Sequence, residues 1–240
     1  MNRIRSIALR EFRGYFTSPI AYAFLFAFMG ATTFMFFNVN GFFARGIADL
    51  RALFSSIPFV FLLLVPAVTM RLWAEEQKQG TIELLMTFPA RDLELVLAKF
   101  LASWGLLGVG LLLTLPLAIT VATLGDLDWG PVMGGYAGAL LLGAAYLAIG
   151  QFISALTENQ ILAFILALVC CMALWGIGTE AFCGLFSDRT AAVLRTLGTG
   201  SRFESIARGV IDLRDLLYYV SLTVFFLSLS VRALKSKRWA

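Results

Sequence analysis

Histidine is absent from the 240 residues and charge is scarce, with Asp, Glu, Lys and Arg making up only 14% of the chain against about 25% in soluble domains. The first absence removes the commonest general base and metal ligand, which excludes most hydrolytic mechanisms. Cysteine is nearly absent too. Cys170 and Cys171 lie inside an apolar run and Cys183 just after it, with no CxxC pair and no metal-ligand spacing, so a packing role is expected. The sequence has no GxxxxGK[ST] phosphate loop, no GxSxG elbow and no internal repeat, and therefore neither a nucleotide site nor a recognisable nucleophile.

What is there instead is apolar surface: 60% of residues are hydrophobic and the mean hydropathy is +0.85, against roughly 45–50% apolar in soluble chains. A helix of about 20 apolar residues crosses the hydrocarbon core of a bilayer. Runs of that kind predict an all-α integral membrane protein of six transmembrane helices, at about 19–37, 53–70, 95–124, 132–156, 161–178 and 216–234. The first run follows four arginines, yet it is too long for a signal peptide and no small-residue cleavage site follows it, so it reads as a retained span. Ser18-Pro19 suits its start, Ser as N-cap and Pro at the first helical position. Pro58 and Pro66 are expected to kink the second span.

Residues 2–17 carry Ile4, Ile7, Ala8, Phe12 and Tyr15 on one helical face, with Arg3, Arg10 and Arg13 largely elsewhere. That pattern describes an amphipathic helix lying in the membrane interface, the plainer alternative being a frayed basic tail. Residues 179–213 are too polar to cross; Phe203, Ile206, Ala207, Val210 and Ile211 recur at helical spacing there, which predicts an external loop with short interfacial helices. Six spans put both termini on one side. If that side is internal, twelve of the nineteen basic residues are internal, as the positive-inside rule requires. The pI near 9.1 is thereby explained by membrane orientation, without nucleic acid as a partner. Lys99, Glu158 and Glu180 all fall at predicted span edges, so the midplane ionisable groups of an ion-coupled carrier are missing.

The most informative polar segment is 71–94, between spans two and three. Gly80 tolerates the left-handed conformation that ends a helix. Thr81 can cap a new short helix with Glu83 in its first turn, where the helix dipole favours an anion. Ile82, Leu85 and Met86 share one face of it, and Pro89 closes it. Such a rod suits docking into a groove on a soluble partner, with Glu75, Glu76 and Glu83 supplying charge; a surface helix resting on lipid or on the protein's own spans fits the same residues. The abundant glycines, among them Gly105, Gly108, Gly110, Gly134, Gly135, Gly138 and Gly143, are expected to permit close helix approach. Asn38, Asn40, Tyr146 and Gln151 are polar candidates for a substrate route, with nothing to select them.

The run Glu76-x-x-x-Gly80-Thr81-x-Glu83-Leu84-Leu85, then Pro89 and Lys99-Phe100, resembles the first cytoplasmic loop of ABC-2-type permeases, with Ala98 where glycine is expected. The stretch Phe203–Asp215 and the ending Lys237-Arg238-Trp239 are similar to the gliding-motility-type and copper-oxide-reductase-maturation-type branch of that family. The resemblance implies a six-span permease in a bacterial inner membrane, both termini cytoplasmic, paired with a second copy, two separate ABC ATPase subunits and a periplasmic accessory protein. It implies that 80–89 is a coupling helix seated in the ATPase, with Glu75, Glu76, Gly80, Thr81, Glu83, Leu84, Leu85 and Pro89 as contacts. Glu158 and Asn159, in the 157–160 turn, would be a smaller second contact; a plain helix turn accounts for them equally. The chain itself would hold no cofactor and catalyse no reaction, ATP and magnesium belonging to the partner ATPase. The rival reading is a membrane scaffold or assembly protein that transports nothing.

Overall fold

The computed structural model describes residues 2–80, 91–184, 186–209 and 212–238, and these fold as helices joined by short turns. Helix α1 is Asn2–Thr17, α2 Pro19–Phe34, α3 Phe42–Arg45, α4 Arg51–Thr69 and α5 Ala74–Lys78. After the undescribed 81–90 come α6 (Asp92–Leu113), α7 (Leu115–Leu124), α8 (Trp129–Leu156), α9 (Gln160–Gly176), α10 (Glu180–Cys183), α11 (Asp188–Leu197), α12 (Thr199–Ala207) and α13 (Leu213–Arg238). Five helical stretches are long and apolar enough to cross a membrane: Pro19–Ala44, Arg51–Lys78, Asp92–Leu124, Trp129–Leu156 and Leu213–Lys237. Helix α9, the expected fifth span, has 17 residues, which at 1.5 Å per residue is about 25 Å and falls just short by length alone.

Large apolar side chains such as Phe26, Leu112, Ile119, Ile161, Val169 and Val224 are exposed on these helices. A water-soluble bundle would bury them; hydrocarbon does not penalise them. Because lipid removes the hydrophobic drive between helices, cohesion must come from close packing, and α8 supplies it from the centre of the bundle, against α4, α6, α9, α12 and α13. Its glycines are the contact points. A Cβ built on Gly135 would stand 2.4 Å from the Phe54 ring, one on Gly150 2.1 Å from Thr69 Oγ1, and one on Gly134 2.4 Å from the backbone oxygen of Ile206. Gly108, by contrast, has nothing within 4 Å. Gly134→Ala should therefore cost about 1–3 kcal/mol by overpacking against backbone that cannot yield, and Gly108→Ala should be tolerated; thermal unfolding in detergent separates the two.

Local chemistry sets the breaks. Ser18 has the extended backbone of an N-cap, with Pro19 following, but its hydroxyl donates to the Tyr15 carbonyl at 3.2 Å and so closes α1 instead of capping α2. Helix α4 runs through Pro58 and Pro66 without ending. The third stretch divides into α6 and α7 at Thr114, where Pro116 cannot donate to the preceding turn; the Thr114 hydroxyl donates to Leu111 O at 2.7 Å and pairs with Tyr136 OH at 2.9 Å. Asp128 caps α8 by accepting from Gly130 N at 3.0 Å. Asn159 caps α9, its Oδ1 accepting from Ile161 N at 2.9 Å.

Helix α12 packs one face against the bundle. Its Thr199, Gly200, Phe203 and Ile206 are buried, the last two against Gly138 of α8, and Thr199 links to both Tyr146 (OH to Oγ1, 3.2 Å) and Tyr219 (OH to backbone O, 2.7 Å). The helical spacing of Phe203 and Ile206 thus marks a face packed on protein. Val210 and Ile211 lie outside the described residues, as does Trp239.

Candidate functional site

The 71–80 segment after α4 is built into one end of the bundle. As the chain turns from α4 to α5, three backbone groups lose helical partners, and the Ser154 hydroxyl of α8 serves all three: it accepts from Trp73 N and Ala74 N, each at 3.1 Å, and donates to Met70 O at 3.1 Å. Gln77 continues the clamp, its Nε2 donating to Ser154 O and Ala155 O at 3.3 and 3.2 Å, which satisfies carbonyls at the end of α8. The ammonium of Lys237, near the end of α13, donates to Gln77 Oε1. Helix α5 is thereby held by α8 and tied to α13.

A second anchor is ionic. Lys99 on α6 is 6% exposed, and its ammonium lies 2.7 Å from Glu76 Oε1 on α5, 3.7 Å from Glu11 Oε2 on α1 and 5.0 Å from the centre of the Trp73 ring. Burying a lysine is costly unless the charge is paired, and here two carboxylates and an aromatic face share it. Tyr15 of α1 faces the same two acids: burial first, then Glu11 and Glu76, push its phenol above the ordinary range. The ionised form is thus disfavoured only in the folded state, so this contribution is intact below pH about 10 and is lost as pH rises beyond it. Tyr15→Phe should flatten the alkaline limb of the stability profile, measured by unfolding from pH 8 to 11.

The predicted site residues separate into distinct roles. Gly80 has φ +69°, the left-handed backbone foreseen for it, and follows the last turn of α5. Glu76 faces inward to Lys99, whereas Glu75 faces outward, 3.9 Å from Arg71 and 3.3 Å from Gln79 Nε2. Glu158 and Asn159 are exposed at the turn that follows the Ser154 clamp, and Asn159 is the α9 cap. Thr81, Glu83, Leu84, Leu85 and Pro89 lie outside the described residues. Ala98, in the place where glycine was expected, is fully buried. The polar candidates for a route make internal bonds: Asn40 to Ala52 O and Ser56, Asn38 to Phe34 O, Gln151 to Val96 O and Tyr146 to Thr199.

Ser154, Gln77 and the Lys99 pairing were not foreseen from sequence. Lys99 could have been in part, because a lysine just inside an apolar run needs a partner and the preceding polar segment offers several acids, Glu75 and Glu76 among them. Among the described residues no group of three or more His, Cys, Asp or Glu gathers to hold a metal.

A bundle of apolar helices that holds a polar segment between its second and third spans has the architecture of a multi-pass membrane protein. The sequence profile of the ABC-2 family transporter proteins matches residues 52–197, from α4 to the end of α11, and the chain belongs to that family. Membership makes it the membrane part of an ABC transporter and implies an ABC ATPase subunit as partner. No curated protein shows significant similarity to it.

Proposed function

We propose that this permease couples ATP hydrolysis in two separate ATPase subunits to export or extraction of a substrate, or to force on a periplasmic accessory protein, and that residues 71–94 receive the ATPase. The supporting observation is the double anchoring of α5: a segment pinned to α8 by Ser154 and Gln77 and to α6 and α1 through Lys99 can pass a push at its tip to three helices as one rigid unit. Glu75, Glu83, Leu84 and Leu85 form the contact surface, and Glu76 joins it to the bundle. Glu158 and Asn159 extend that surface from the neighbouring turn.

The N-terminal helix, bound at Lys99, and the end of α13, bound at Gln77, meet the 71–80 segment at one end of the bundle. That meeting supports an even number of crossings, six with α9 as the fifth in chain order, and the positive-inside balance favours this end as the cytoplasmic one in an inner membrane. The chain acts as a homodimer, catalyses no reaction and holds no cofactor; ATP and magnesium sit on the partner. The gliding-motility-type or copper-oxide-reductase-maturation-type branch is the assignment that the 203–215 stretch favours.

Co-purification tests the reading. The wild-type chain should bring down a nucleotide-binding subunit and stimulate its ATPase activity, and Glu83→Arg and Leu85→Asp should each lower both by at least about tenfold, as loss of a buried interface anchor costs more than about 1.4 kcal/mol. Retention of partner and stimulation by both variants would remove the coupling role from this segment.

A further inference from the structure

Helix α1 crosses α6 just where Lys99 is buried, Phe12 packing within 3.3 Å of the position a Cβ on Gly105 would take. Beside this contact lies a groove of about 480 Å³, lined by Ile4, Arg5, Ala8, Leu9 and Phe12 of α1 and by Leu101 and Ala102 of α6. Its volume is that of a small-molecule site, and its lining is almost wholly hydrocarbon. Leu9 and Leu101 stay exposed there at 45% and 41%.

Charge identifies the occupant. Helix α1 carries Arg3, Arg5, Arg10 and Arg13 and a single acid, Glu11, which reaches Lys99 at 3.7 Å. All four arginines are exposed, and among the described residues Arg5 makes no ion pair with an acid. A ligand that satisfies both parts of the site must carry an anionic head for the guanidinium and an apolar chain for the groove. We propose that the α1–α6 groove binds one anionic phospholipid, its phosphate on Arg5 and an acyl chain along Ala8, Leu9 and Leu101. Guanidinium and phosphate make charge-assisted hydrogen bonds, and a neutral or zwitterionic lipid lacks the net charge that the arginine-rich face of α1 attracts.

The test uses full-length protein in a neutral detergent, offered phosphatidylglycerol or phosphatidylcholine with identical acyl chains, with bound lipid counted by native mass spectrometry. Wild type should retain one phosphatidylglycerol at least about fivefold better than phosphatidylcholine, the ratio that one basic group near an anionic headgroup supplies. Arg5→Glu should abolish the preference and Arg5→Lys should keep it. Ala8→Phe, which fills the groove and leaves the guanidinium in place, should also lower retention; Ile4→Trp replaces it if the first variant unfolds. Equal retention of the two lipids by wild type, unchanged retention in the groove-filled variant, or displacement by millimolar inorganic phosphate would each overturn the proposal. So would Ala8→Cys cross-linking between two copies, which would mean that a second protomer covers the groove.

Discussion

Lys99→Met should lower the stability of the folded chain by about 3 kcal/mol, and it should uncouple the 71–80 segment from α1 and α6. The substituted side chain fits the space and keeps the apolar contacts of the lysine stem, so the loss is electrostatic: Glu76 and Glu11, both aimed at one ammonium, are left facing each other. Removing one partner of a buried ion pair costs about 3–5 kcal/mol. The lower end applies here because the two carboxylates retain 23% and 28% side-chain exposure and water recovers part of their solvation. Glu76→Gln alone should cost less, since Lys99 keeps Glu11, and Lys99→Met combined with Glu76→Gln should regain part of the single-variant loss by removing one stranded charge. Thermal unfolding in detergent gives the three values, and a double variant as unstable as the sum of the singles would show that the two residues do not interact. In a complex with the ATPase, Lys99→Met should retain nucleotide-subunit binding yet show weaker transport-linked stimulation, because the contact surface survives while its connection to the spans does not.

The reasons that parts of this fold can be read from sequence are physical. A span is specified by one-dimensional hydropathy, so 19–37, 53–70 and 216–234 correspond closely to helices at Pro19–Phe34, Arg51–Thr69 and Leu213–Arg238. Gly80 was legible for a different reason, since a glycine ending a polar helix has few other uses, and its φ of +69° agrees. The π-helical turn Met35–Val39 and the break at Thr114 are less visible, because each depends on how one or two backbone bonds are shared between neighbouring turns.

The side chains that build the site were mostly hidden because their partners are far away in sequence. Ser154 is 81 residues from Trp73 and Lys237 is 160 from Gln77, distances at which periodicity carries no information. Helix α12 shows the same limit. Phe203 and Ile206 announce an apolar face, but whether that face meets lipid or protein is decided by Gly134 and Gly138 on α8, which leave room for it.

Arg202→Met is the second large effect expected, and it acts at the opposite end of α13. Asp215, at the start of that helix, is 8% exposed and accepts from Arg202 Nη1 at 2.8 Å. The same guanidinium donates from Nε and Nη2 to Thr196 O at 3.0 and 2.8 Å and lies 4.4 Å from the centre of the Tyr218 ring. One side chain thus joins α11, α12 and α13. Its removal strands a buried carboxylate, at a cost of about 3 kcal/mol, and leaves the exposed Thr196 carbonyl to water. Arg202→Lys should recover only part of this, because an ammonium is a point donor and cannot bridge Asp215 and Thr196 as the planar fork does. The damage should be local before it is global. With α12 freed from α13, trypsin should cut after the exposed Arg189 and Arg195 many times faster than in wild type, at temperatures where the apolar helices remain folded. If cleavage in that stretch is unchanged while overall unfolding shifts, Arg202 contributes to the stability of the whole bundle and not specifically to holding α11 and α12 against it.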